Sequence, residues 1–221
     1  MENMKKLAIV MAMASVVTAC GGGGDGGPPT STTAFNADAA FAFSLTNGVS
    51  FSGLTGSDAG RAFTASIAFT PAADATFAGA VRKRSTQTVS LSTPGIATQT
   101  TTMQMFYTTG PSRLVGTTQT GGYIEYVSQG NLPTAGSVGQ SGPFANGTSY
   151  TSSAKTTQVG TVAITWSIEP DTATTAFACL TSVTTGSVQA TEKDCFKINA
   201  GGTILGARIT LTASGINLTL Q

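Results

Sequence analysis

The chain contains no histidine. That excludes Ser-His-Asp and Cys-His catalysis, imidazole-based metal sites and histidine pH switching. Charge is scarce as well. Asp, Glu, Lys and Arg together make up 10% of the residues, against about 25% in an ordinary globular protein. Removing Glu2, Lys5 and Lys6 with the leader described below leaves nine basic and nine acidic residues. So balanced a chain offers no net basic face to nucleic acid. There is one tryptophan, and there are three cysteines, at 20, 179 and 195. The only long apolar run lies at the N-terminus, so no later segment is expected to cross a membrane as a helix.

Ser, Thr, Ala and 27 glycines stand where charge would otherwise be. Threonine suits the pleated, half-buried surface of a strand and glycine punctuates turns, so composition alone leans towards an all-β fold.

Residues 1–19 read as a removable leader. Lys5 and Lys6 form a short positive region, and Leu7 to Val17 is apolar except for Ser15. A core of that length suits a signal peptide and is too short to span a bilayer comfortably. Val17-Thr18-Ala19 then runs into Cys20. An ordinary secretory signal requires no cysteine there, and the stretch resembles the lipobox of bacterial lipoproteins. The resemblance implies cleavage between Ala19 and Cys20, diacylglycerol on the Cys20 sulfur and an acyl chain such as palmitate on its new amine. Several chains, each buried CH₂ contributing about 0.8 kcal/mol, make a stable anchor. Residues 20–33 hold Gly, Pro, Ser and Thr with one acid, Asp25. With no apolar residue to bury, that stretch is expected to be a flexible tether. Gly21 and Gly22 are not the acidic residues that retain many such proteins at the inner membrane, so the resemblance implies the outer membrane.

From residue 34 onward the reading is a single all-β domain, 34–221, an antiparallel sandwich or small barrel. Phe41, Phe43 and Leu45 alternate with small residues, Asn47-Gly48 reads as a hairpin turn, and Val49 and Phe51 continue beyond it. Phe63, Ala65, Ile67 and Phe69 line one face of the next strand, which Pro71 is expected to end. Thr86–Leu91 and Thr98–Tyr107 pair around Pro94-Gly95, and Arg113–Thr117 pairs with Gly121–Val127. Residues 128–153, rich in Gly, Ser and Asn, read as a long loop and a candidate break between halves 34–127 and 154–221. Val162, Ile164, Trp166 and Ile168 make the clearest strand. Leu205, Ala207, Ile209, Leu211 and Ala213 share one face of another, and Ile216, Leu218 and Leu220 of the last. Helical periodicity is not expected beyond residue 34.

With Cys20 given to lipid, Cys179 and Cys195 remain in an oxidising compartment, where two cysteines usually pair. They are equidistant from Ser187. A symmetric antiparallel hairpin turning there sets them opposite each other at Cα separations of about 4.5–5.5 Å, which suits a disulfide. Buried free thiols are the alternative. The lipobox, the cysteine region and the tail Ile204–Leu220 together resemble a recurrent type of proteobacterial outer-membrane lipoprotein. That resemblance carries no functional residues.

Glu169 and Asp171 flank Pro170, and two such acids could do general acid–base work at a glycosidic bond or bind calcium. A polar turn between strands is the favoured reading of them. Glu125 shares a strand face with Tyr123 and, if buried, needs a partner such as Arg113 or Arg208. Arg82-Lys83-Arg84 reads as a solvated edge or turn rather than a phosphate contact. Trp166 shares an apolar face and reads as core. No Gly-x-Ser-x-Gly elbow follows a strand. No catalytic constellation, metal site or cofactor motif is recognisable. Tyr123, Tyr126 and Glu125 are the candidate ligand contacts. The functional expectation is a lipid-anchored envelope protein that binds or scaffolds, its protein or glycan partner unspecified. A small-molecule or glycan-binding barrel and a carboxylate-dependent hydrolase are the alternatives.

Overall fold

The computed structural model describes residues 31–109, 113–187, 189–213 and 215–221. The leader, the Ala19–Cys20 cleavage site, the lipidation residue Cys20 and most of the tether lie outside the described residues.

Among the described residues one helix, α1 (Ala37–Thr46), precedes twelve strands: β1 (Val49–Asp58), β2 (Arg61–Phe77), β3 (Ala80–Thr93), β4 (Ile96–Thr108), β5 (Arg113–Gln119), β6 (Gly122–Ser128), β7 (Ser141–Tyr150), β8 (Gln158–Pro170), β9 (Thr175–Gly186), β10 (Ala190–Asn199), β11 (Ile204–Ala213) and β12 (Ile216–Leu220). The strands form one sheet in sequence order, each antiparallel to its neighbours. β12 returns to β1, where Thr55 and Gln221 exchange backbone hydrogen bonds of 3.0 and 3.2 Å. The all-β expectation therefore resolves as a nearly closed up-and-down barrel. The 128–153 stretch is no break, because β7 lies within it and pairs with β6 and β8.

Alternation decides which side of each strand is wet. Phe63, Ala65, Ile67 and Phe69 of β2, Val89 and Leu91 of β3, Val162, Ile164 and Ile168 of β8, and Leu218 and Leu220 of β12 all point inward and are buried. The outward positions carry hydroxyls that pair across strands, as in Ser90–Thr100, Thr161–Thr185 and Thr210–Thr219. The barrel is flattened. The Phe196 ring of β10 reaches across to Phe69 of β2 at 5.6 Å and Phe51 of β1 at 6.4 Å.

Several local expectations are corrected. Residues 37–46 are helical, not extended, because the buried positions are Ala37, Ala40, Phe41, Ser44 and Leu45, the i, i+3, i+4 spacing of an amphipathic helix. Asn36 caps the start by accepting a hydrogen bond from the Ala39 amide at 2.9 Å. Asn47-Gly48 ends this helix rather than turning a hairpin. Gly48 has φ +78°, the left-handed conformation favoured just past a helix C-terminus. Pro71 does not end β2. β1 begins at Val49, opposite Phe69, so Pro71 lies beyond the start of the β1 ladder and its missing N–H breaks no pairing there. Leu205 is exposed and Ile204 packs inward, because a bulge near Ile198 shifts the β10–β11 register there.

α1 sits across one end of the barrel. Phe41 meets Phe144 edge-on at 5.7 Å, and the Tyr107 hydroxyl donates to the Leu45 carbonyl at 3.1 Å. Phe35 is fully buried and bridges Gly136. The last tether residues are docked rather than free, since the Ser31 hydroxyl donates to the Ala173 carbonyl at 2.7 Å.

On the outer wall, β2 and β3 continue past the end of β4 as an arm. Its turn, Ala78-Gly79, has φ of +50° and +79°, the paired positive values of a type I′ hairpin. Phe77 stacks on Phe106 at 4.5 Å and on Tyr123 at 5.0 Å. A Cβ on Gly116 would lie 1.9 Å from the Phe77 ring, so this close approach requires glycine.

Candidate functional site

The inward side chains do not fill the barrel. Gln87 of β3, Met103 and Met105 of β4, Thr117 of β5, Tyr126 of β6, Trp166 of β8, Leu180 and Ser182 of β9, and Glu192, Asp194 and Phe196 of β10 surround a cavity. Phe41 and Ala37 of α1, with Leu132, close it on the helix side. The centre of a water molecule can range over about 110 Å³ of it. One water needs roughly 10–15 Å³ on that measure, so there is room for several waters or for a small organic molecule. The lining is mainly apolar and aromatic with a few convergent polar groups, the usual make-up of a ligand site.

Two of those groups are carboxylates. On β10 the inward phase runs Ala190, Glu192, Asp194, Phe196, Ile198, while Lys193, Cys195 and Lys197 point outward. The β11 residues opposite the two acids are Leu211 and Ile209. Gln87 reaches across the barrel and donates its amide to Asp194 Oδ2 at 3.4 Å. Asp194 Oδ1 is buried with no hydrogen-bond partner among the described residues. Burial pushes the Asp194 carboxyl up to about 6, partly countered by the Gln87 hydrogen bond. Burial, and then the charge of Asp194, push Glu192 well above the ordinary range. Tyr126 is raised by burial, lowered by its hydrogen bond with Thr117 and raised again by the charge of Glu192. Phenol and carboxylate therefore share the cavity.

The acids singled out in the sequence lie elsewhere. Glu169 is on the outer wall, paired with Lys193 at 2.6 Å and with Arg208. Burial raises its carboxyl, but the two cations outweigh that and hold it low. Asp171 pairs with Lys197 at 2.8 Å and accepts from the Thr175 hydroxyl. Burial likewise opposes, and Lys197 and Thr175 prevail. These acids tie β8 to β10 and β11 rather than facing a cleft. Glu125 finds Lys155 at 2.7 Å and the Tyr123 hydroxyl at 2.8 Å, not Arg113 or Arg208. Arg113 donates to Asn131 at 3.2 Å. Of the three candidate ligand contacts only Tyr126 faces the cavity. Tyr123 lies beneath Phe77, and burial together with the Glu125 hydrogen bond pushes its hydroxyl up to about 12. Trp166 borders the cavity, so one side of its indole is open to a guest. Lys83 and Arg84 are not at an edge, because they lie inside β3 between β2 and β4. They fasten the arm through Asp74 at 2.9 Å and the Ala73 carbonyl at 3.0 Å.

Cys179 and Cys195 form a disulfide with a Cα separation of 4.0 Å and a sequence separation of 16. Asn199 pairs with Thr175, the register of a hairpin centred on Ser187. Glu169 lies within 4.8 Å of both sulfurs, the grouping among the described residues nearest to a metal-ligand set. The sulfurs are bonded to each other and the carboxylate is held by two cations, so the trio has no free ligand atoms for a metal.

Glu192, Asp194 and Gln87 were not singled out in the sequence. The signal available was phase: Ala190, Phe196 and Ile198 share an inward side with both acids. Compared with known proteins, the chain matches no family model, no curated protein and no solved structure.

Proposed function

We propose that the mature protein is a lipid-anchored binding protein of the bacterial outer membrane, and that its barrel holds a small, largely apolar molecule. The observation that carries this reading is the cavity bordered by Met103, Met105, Tyr126, Trp166 and Phe196. A well-packed interior leaves few voids larger than one water, so a space of this size and lining is the natural seat of a guest. The lipobox-like Cys20 supplies the membrane attachment. The barrel wall supports the division of labour. Transmembrane barrels are apolar outside and polar inside, whereas here the apolar side chains point in and hydroxyls such as Thr100, Thr161 and Thr210 point out. The wall therefore suits water, and the anchor alone holds the domain to the bilayer. The outward acids Glu125, Glu169 and Asp171 are occupied by Lys155, Lys193, Arg208 and Lys197, which favours binding over carboxylate hydrolysis.

The test is native mass spectrometry of acylated protein purified from its own envelopes without denaturant. The expected result is a small-molecule mass that leaves on unfolding. A mass equal to the acylated chain alone, together with no uptake of any small apolar compound by the folded protein, contradicts the reading.

A further inference from the structure

We propose that the guest carries a positively charged nitrogen, an organic amine or ammonium, held against Glu192 and Asp194. This deepens the binding reading above and rests on it. Charge accounting comes first. Each ion pair among the described residues joins groups on the outside of the barrel. Among the described residues that line the cavity there are two acids and no Lys or Arg. A buried carboxylate is costly unless something compensates it, and among the described residues the Gln87 amide reaches one oxygen of Asp194. Asp194 Oδ1 has no hydrogen-bond partner among the described residues. Two adjacent acids in an apolar chamber leave the place of a counter-charge open, and a cationic guest takes it.

The remaining lining fits an organic cation better than the other options. Trp166, Tyr126 and Phe196 offer aromatic surfaces to a cation, and Met103 and Met105 offer polarizable sulfur to its carbon skeleton. A hard metal ion requires six or more oxygen ligands, and a lining this rich in methyl, thioether and ring groups does not provide them. An anionic guest would meet the two acids with no cation to offset them. A neutral apolar guest would fit the walls but leave the two acids without a counter-charge.

The test uses the single tryptophan as reporter, because Trp166 borders the cavity. The mature chain, unfolded and refolded so that no guest is carried over, is titrated at pH 8 with 2-phenylethylamine and with its uncharged isostere 2-phenylethanol. The amine is expected to bind at least tenfold more tightly. In the double variant Glu192→Gln, Asp194→Asn the amine is expected to lose that tenfold advantage while the alcohol binds as before, and alcohol binding shows that the variant is folded. Equal affinity for the two compounds in the unaltered protein overturns the cationic guest and leaves the binding reading standing. An amine preference that survives the double variant also overturns it. If neither compound alters Trp166 emission, the cationic guest is overturned, while the binding reading falls only with the mass-spectrometric result given above.

Discussion

Replacing Asp194 by asparagine is expected to stabilise the guest-free protein at pH 8 and to leave it unchanged near pH 4. In the folded state the Asp194 carboxyl titrates at about 6 rather than at its ordinary 3.8. The folded protein therefore keeps a proton that the unfolded chain releases between those values. The stability contributed by the protonated form is complete below the ordinary value and is lost as pH rises through about 6. The change from 3.8 to about 6, at about 1.4 kcal/mol for each tenfold change in proton affinity, puts the penalty above that pH on the order of 3 kcal/mol. Asparagine has the same volume, can still accept from Gln87 and carries no charge to desolvate. It also removes the charge that helps to raise Glu192, so the pair loses its mutual repulsion in one step. For a chain of this length 1 kcal/mol moves the melting temperature by roughly 2–4 °C, so a rise of several degrees is expected at pH 8. The assay is urea unfolding of both proteins, refolded free of guest, at each pH from 4 to 8. Glu125, Glu169 and Asp171, whose carboxyls are held low by their partners, stabilise at neutral pH and lose that effect on acidification. They act in both proteins and cancel in the difference. A stability gap independent of pH, or a variant less stable at pH 8, refutes the reasoning.

Three other outcomes follow from the geometry. Reducing the Cys179–Cys195 bond, or replacing both residues with alanine, is expected to cost about 3 kcal/mol by chain entropy for a closed loop of this size, read by denaturant unfolding with and without reductant. Phe77→Ala removes the ring that lies on Phe106 and Tyr123 and is expected to cost about 3 kcal/mol, with faster proteolysis at the Ala78-Gly79 tip; unchanged cleavage there would mean the arm is held by its backbone alone. Cys20→Ser is expected to move the protein from the membrane to the soluble fraction on envelope fractionation, and persistent association would remove the anchor.

The strands were legible because period-two alternation is local. Phe63 to Phe69 and Val162 to Ile168 each declare a buried side within eight residues, and the spacing of Cys179 and Cys195 about Ser187 declares a register. The helix was harder. Phe41, Phe43 and Leu45 fit a period of two, and only Ala37, Ala40 and Ser44 reveal the period of 3.6. Small residues carry little hydrophobic contrast, so the stronger aromatic beat dominated the reading, although Asn36 and Asp38 are ordinary helix-start residues. Asn47-Gly48 illustrates the same ambiguity, since a left-handed glycine serves a hairpin and a helix end alike. The site was least legible. Glu192 and Asp194 flank Lys193, and nothing local says which row faces water. That follows only once the sheet closes and fixes the inward side by Phe196 and Ile198. Closure depends on contacts between the two ends of the sheet, Thr55 with Gln221, and the cavity depends on how the strands together set the width. Neither quantity resides in any one segment.

Cleavage before Cys20 would leave two methionines, Met103 and Met105, out of the six in the sequence, and both border the cavity. Methyl-labelled methionine in the mature protein therefore reports on the chamber and on nothing else. Adding 2-phenylethylamine is expected to shift both methyl resonances along one saturable curve, matched by the change in Trp166 emission. Methyl signals that stay in place while amine binding is measured by another method would locate the guest outside the barrel and contradict the account.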